Sequence, residues 1–149
     1  MHPFDIKAAL LAKHAQHVVL IHFPIALFIA GVTFDDLAQW TKQRILAAAA
    51  YCNLLAAAVF TVPVLITGVL AWQWQLEGQR LKGILLMHLL LGCASSLLIW
   101  IVCVVHVKAQ RKLNGVLPGY RLPIEALGVA LVTLAGHLGG FLSGVNLPR

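Results

Sequence analysis

The stretch ILAAAAYCNLLAAAVFTVPVLITGVLAWQWQL, residues 45–76, runs for 32 residues between Arg44 and Glu77 without a formal charge. A helix needs about 20 apolar residues to cross the roughly 30 Å hydrocarbon layer of a bilayer, and this stretch exceeds that. Three more lie around it. Between Lys13 and Asp35 there are 21 uncharged residues, between Lys82 and Lys108 there are 25, and between Glu125 and Arg149 there are 23. Together they hold most of the 149 residues, of which 60% are hydrophobic and only 11% charged. A soluble domain draws on about a quarter charged residues. A soluble enzyme domain, a secreted disulfide scaffold and a disordered tail are all excluded. The pattern predicts one all-α domain, an integral membrane four-helix bundle with spans at about 17–37, 45–72, 83–107 and 122–142.

The connecting segments fit this reading. Residues 2–15 follow Pro3's helix-start preference and mix charge with Leu and Ala at helical spacing, which predicts a short interfacial helix before the first span. Asp5 precedes Lys7 and no small-residue cleavage site follows, so this segment is not expected to be a signal peptide. Pro24 falls near the start of the first span, where a missing donor matters least. Pro63 falls inside the second and is expected to kink it. Trp72 and Trp74 form an aromatic belt at one membrane face. Asn114-Gly115 and Pro118-Gly119 mark the loop between the third and fourth spans. Cys52, Cys93 and Cys103 all lie in apolar segments without C-x-x-C spacing, which predicts packing thiols.

The net charge of +6 comes from bases scattered over every loop, where they contact lipid headgroups; no nucleic-acid partner is expected. With four spans, the N-terminus, the loop around Gly78 and the C-terminus share one side. That side carries Lys7, Lys13, Arg80, Lys82 and Arg149, and the other carries Lys42, Arg44, Lys108, Arg111, Lys112 and Arg121. The four bases of the third loop favour both termini outside.

Seven histidines against five carboxylates is an unusual ratio for such a chain. His22 lies about five residues into the first span, His88 about five into the third, and His137 about five before the end of the fourth. At about 1.5 Å per residue, all three should sit roughly 7–9 Å below one membrane face. Ionisable residues within a span are costly and mark functional sites by default. A b-type haem needs two axial imidazoles from facing helices and room for a flat macrocycle. Copper or another transition metal would instead use His22, His88 and His137 directly. Small residues favour the haem: Gly92, Ser95 and Ser96 follow His88, and Gly136, Gly139 and Gly140 surround His137. Arg80 and Lys82, just outside this face, are placed to pair with haem propionates. His17 is a secondary ligand candidate, His14 is expected to be wet, and His2 to play no part.

Blander readings exist for each feature. Gly136 and Gly140 also form a small-xxx-small pair for helix packing, and an intramembrane histidine can be satisfied by a carbonyl or hydroxyl across an interface. At the opposite face, His106, Glu125, Asp35 and Asp36 suggest a proton path or a quinone pocket, or a salt-bridged helix end with Glu125 paired to Lys108 or Arg121. No nucleophile–base arrangement, phosphate loop or metalloprotease motif appears, so hydrolytic chemistry has no support.

The segment His17-Val-Val-Leu-Ile-His22-Phe-Pro24-Ile-Ala-Leu27, followed by Asp35-Asp36-Leu-Ala, resembles the N-terminal signature of a bacterial four-helix membrane family known as a transmembrane domain of unknown function. That signature reads His-Pro-x-x-Val-His-Phe-Pro-Ile-Ala-Leu, and this chain has Val18 in place of the proline. Gly136-His137-Leu138-Gly139-Gly140 is similar to the family's closing Gly-x-Leu-Gly-Gly element. Thr67-Gly68 and His88 match positions of its second and third helices. Members occur fused to, or encoded near, c-type cytochrome and Rieske iron–sulfur domains. The resemblance therefore implies membrane electron transfer, a bacterial inner-membrane location and a periplasmic side for the termini.

The reading that results is a b-type haem subunit exchanging electrons with redox partners such as quinone or a periplasmic cytochrome, rather than a stand-alone enzyme. His88 and His137 are the preferred axial pair, with His22 as alternative ligand. The rival readings are a structural subunit of a larger membrane complex that binds only lipid, and a three-histidine metal-binding or transport protein.

Overall fold

The structure is a computed structural model that describes residues 13–111 and 117–143, with backbone only at residues 13–15 and 75. Among the described residues every regular element is a helix: α1 (Lys13–Leu20), α2 (His22–Thr41), α3 (Arg44–Gln75), α4 (Gly83–Gln110) and α5 (Arg121–Leu142). The four helical stretches apolar and long enough to cross a membrane are Gln16–Thr41, Arg44–Trp74, Gly83–Gln110 and Arg121–Leu142. They overlap the four expected spans and run a few residues beyond most of their ends. The expected interfacial helix lies mainly outside the described residues; α1 begins at Lys13 and leads into the first span.

The prolines act locally. Pro24, third in α2, has no N–H to offer the Leu20 carbonyl, and the chain turns once at Ile21 between α1 and α2. Around that turn Ile21 N–H reaches the His17 carbonyl at 3.0 Å, while Ile25 N–H reaches the Ile21 carbonyl only at 3.4 Å. At Pro63, α3 continues as one 32-residue helix, and the neighbouring Thr67 hydroxyl bonds the Pro63 carbonyl at 2.8 Å.

Two tight connections set the topology. Lys42 adopts a left-handed φ of 57° and its N–H closes on the Ala38 carbonyl at 2.9 Å, so α2 turns directly into antiparallel α3. After α3, Gly78 at φ +64° bonds the Trp72 carbonyl at 3.2 Å, and Trp72 Nε1–H donates to the Gln79 carbonyl at 2.9 Å. The tryptophan expected at the membrane boundary thus also ties down the turn. The result is two helical hairpins, α2–α3 and α4–α5, with α3 against α4 and α2 against α5.

In lipid the helices gain little from burying apolar surface against one another, so close packing of shapes holds them together. One buried face of α3 supplies the small residues Ala50, Ala57, Ala58 and Thr61 together with the larger Leu54. Gly31 of α2 lets Leu54 approach so closely that a Cβ there would lie 2.8 Å from Leu54 Cγ. Gly128 of α5 receives the ring of Phe28, which is fully buried; a Cβ there would lie 2.8 Å from both Cε1 and Cζ. Ile99, Val102, Cys103 and Val132 complete this layer. Outward, Val59, Val62, Ile66, Leu90, Leu97, Leu127 and Leu134 are exposed, an apolar belt suited to lipid.

Candidate functional site

Near the membrane face that holds the α3–α4 connection, the two hairpins enclose a cavity of about 250 Å³. Its walls are mostly apolar, with Pro24, Leu65, Trp72, Leu85 and Leu89 among them, and its polar lining includes His17 and His88. The two imidazoles face each other edge to plane, with ring centroids 6.4 Å apart and planes at 85°.

Hydrogen bonds hold both rings. The His88 Nδ1–H donates to the Ala135 carbonyl at 2.9 Å, since a carbonyl can only accept. Thr67 has one hydroxyl hydrogen, which points to the carbonyls of Pro63 at 2.8 Å and Val64 at 3.1 Å. His17 Nδ1 lies 3.2 Å from the same hydroxyl oxygen, within hydrogen-bond distance. A neutral His88 ring is thus held in the tautomer with the lone pair on Nε2. A ring N–H held by a carbonyl or hydroxyl is the support that metal-ligating histidines commonly have.

Glycines make the room. A Cβ on Gly139 would lie 3.1 Å from His88 Cε1, and one on Gly68 would lie 3.0 Å from His17 Cε1. Each ring lies across bare backbone on a neighbouring helix. Gly92 also lines the cavity, and a Cβ there would meet nothing within 4 Å.

The other sequence candidates fall elsewhere. His22 is exposed, and its Nδ1–H bonds the Val18 carbonyl of its own turn at 2.7 Å. His137 is exposed and packs edge-on against Phe141, centroids 5.0 Å apart. Neither lines the cavity, so the expected level trio and the preferred His88–His137 pair are not brought together. Depth sets only the height of a side chain; the angle around the helix sets its face. On α5 the cavity takes Ala135, Gly136 and Gly139, and His137 is about 100° past Gly136. Gly136 clears Ile25, whose Cδ1 would be 3.4 Å from a Cβ, and Gly140 does not reach the cavity. Arg80 and Lys82 are exposed on either side of Leu81, which does line it. The side chain of His14, and all of His2, lie outside the description. Thr67-Gly68 and Gly139 stood out in the sequence, but nothing there linked the first pair to His17 or Gly139 to His88.

At the opposite end, four ionisable side chains are buried together. Arg121 Nε donates to Asp35 Oδ2 at 2.8 Å, joining α5 to α2, and lies 3.9 Å from Glu125 Oε1. His106 of α4 donates from Nε2 to the same Oε1 at 3.0 Å. The expected helix-end ion pair forms with Arg121, while Lys108 is exposed and Asp36 points outward. A groove of about 450 Å³ on the outside of α4, lined by Trp100, Lys108, Pro118 and Tyr120 among others, includes neither His106 nor Glu125.

No curated protein and no solved structure matches the chain. One family does, described as "Predicted membrane protein (DUF2231)", over residues 13–145. With four apolar helices of spanning length and a family match over nearly its whole length, the chain is a membrane protein belonging to the DUF2231 family.

Proposed function

We propose that this protein is an electron-transfer subunit that holds a b-type haem between His17 and His88. The observation that carries the reading is the pair of imidazoles from α1 and α4 that line one apolar cavity with ring centroids 6.4 Å apart. Both imidazoles line the same cavity, so they are the residues that would hold a haem bound there. The cavity of about 250 Å³ is smaller than the ~300–1,000 Å³ usual for small-molecule pockets, so part of a bound haem would lie outside it. Arg80 and Lys82 flank Leu81, which lines the cavity, and are the cations that would pair with propionates. The haem supplies one-electron chemistry when bound. The protein's own contribution is to orient two ligands, exclude water with Leu65, Leu85 and Leu89, and leave an edge open to partners. Those partners are a membrane quinone or a periplasmic cytochrome, and we place the protein in a bacterial inner membrane with its termini on the periplasmic side.

Absorption spectra of the purified protein, oxidised and then reduced, test this directly. A six-coordinate b-type spectrum is expected when haem is supplied during expression. His17→Ala and His88→Ala should each abolish it or turn it high-spin, whereas His22→Ala and His137→Ala should leave it unchanged. Absence of any haem band in the wild type refutes the proposal. Copper retained through the same two histidines would replace haem with a metal ion in this site.

A further inference from the structure

The cluster at the far end from the histidine cavity does not take part in that proposal and stands independently of it. Asp35 is 2% exposed, Arg121 3%, Glu125 1% and His106 4%, all within the helical bundle. Burying ions away from water is costly unless each is paired and the group is balanced. Here the balance is incomplete. Two carboxylates face one guanidinium, and with His106 neutral the cluster is left with one uncompensated negative charge. Glu125 Oε2 marks where it resides: the atom is buried and has no hydrogen-bond partner among the described residues.

Among the described residues, the other ionisable groups near this end do not supply the missing charge. On α2, Asp36 is exposed, and on α4, Lys108 and Arg111 are exposed. Cys103, one turn before His106, is a buried free thiol and brings no positive charge. On α3, Arg44 is exposed and Tyr51 is half-buried. None of them has a hydrogen bond or ion pair to the cluster among the described residues.

Donor atoms of Asp35, His106 and Glu125 lie within 4.8 Å of one another, a spacing open to a cation. Charge selects which one. A divalent metal beside Arg121 would leave the cluster with a net positive charge in the bundle interior. A single proton makes it neutral. We propose that His106 and Glu125, held by Arg121 and Asp35, form an intramembrane proton-binding site that takes up and releases one proton. Nε2–H already donates to Oε1, so the incoming proton binds at His106 Nδ1 or at Glu125 Oε2. The first gives an imidazolium–carboxylate pair and the second an imidazole–carboxylic acid pair. Either state is neutral overall, and release to water restores the net negative charge.

The sequence offers a clean measurement, because Glu77 and Glu125 are its only glutamates. Carboxyl-13C-labelled glutamate gives two NMR signals in the full-length protein in nanodiscs. Glu77, exposed in the α3–α4 connection, serves as the internal reference. The Glu125 signal is expected to show a one-proton step of its own that the Glu77 signal does not share. Asp35→Asn leaves the deprotonated cluster neutral, so the step should move to more acidic pH by about one unit or more. A Glu125 signal that stays constant across the pH titration overturns the proposal, as a purely structural ion pair would do. So does a step unmoved by Asp35→Asn, or a divalent metal that survives chelation and is lost in Glu125→Gln.

Discussion

The placement of a histidine within this bundle is decided by the residue it lies across. His88 and His17 each rest on a glycine of the facing helix and bond a polar group close to it in sequence. Gly139→Ala should therefore disturb His88. The added methyl sits 3.1 Å from Cε1, the ring shifts, and the bond to the Ala135 carbonyl weakens. A loss of about 1 kcal/mol is expected, the usual net worth of such a bond, read as a lowered thermal midpoint in detergent. Gly92→Ala on the opposite wall meets open space and should stay within about 0.5 kcal/mol of the wild type. If the two substitutions behave alike, the account of Gly139 is wrong. Glycines and histidines were visible in the sequence as residue types. Which glycine faced which ring was not, because that depends on the rotation of one helix against another.

Among the elements, α2 and α5 meet where a glycine accepts an aromatic ring. Phe28 is fully buried and its ring occupies the space over Gly128. Gly128→Ala should cost about 1–3 kcal/mol, the range for overpacking a rigid core, because a ring cannot shorten to accommodate a methyl. Phe28→Leu in the same chain should restore part of that loss, since it removes the atoms that clash. Unfolding midpoints of the single and double variants give the test, and a double variant no better than Gly128→Ala would overturn it. At this scale the sequence was informative about length: charge-free runs and flanking bases placed all four spans within a few residues. It was less informative about regularity. The same residue type interrupts the first span near Pro24 yet leaves α3 running through Pro63. The break at Ile21 leaves Pro24 in a first turn, where its missing N–H matters least, whereas α3 carries the loss at Pro63 in its interior.

For the whole molecule, the cross-hairpin contacts at the two ends differ in kind. At one end a ring pair closes an apolar cavity; at the other, Arg121 ties α5 to Asp35 of α2. Arg121→Met leaves Asp35 and Glu125 buried without their cation and should cost about 3–5 kcal/mol. Asp35→Asn combined with Arg121→Met should cost clearly less than Arg121→Met alone, because one stranded charge is removed with the other. Equal losses in both would show that the pair does not hold the hairpins together. The burial of Arg121 also bears on orientation. It was counted with the bases of the third loop, yet it is spent on an internal pair, so Lys108, Arg111 and Lys112 remain as that loop's charges.

The sequence by itself determined that this is a four-span membrane protein, because exclusion of charge over about 20 residues is a one-dimensional property that a bilayer reads directly. It also determined which polar residues the spans admit, and that some of these gather toward each membrane face. Only the tertiary structure decided the pairings: His17 with His88 rather than His88 with His137, and Glu125 with His106 as well as Arg121. Residue count along a helix gives depth at about 1.5 Å per step, but a turn of about 100° per residue carries neighbours to different faces. Which face meets which partner follows from how small residues such as Gly31, Gly68, Gly128 and Gly139 let the helices close, and that is a property of the packed bundle.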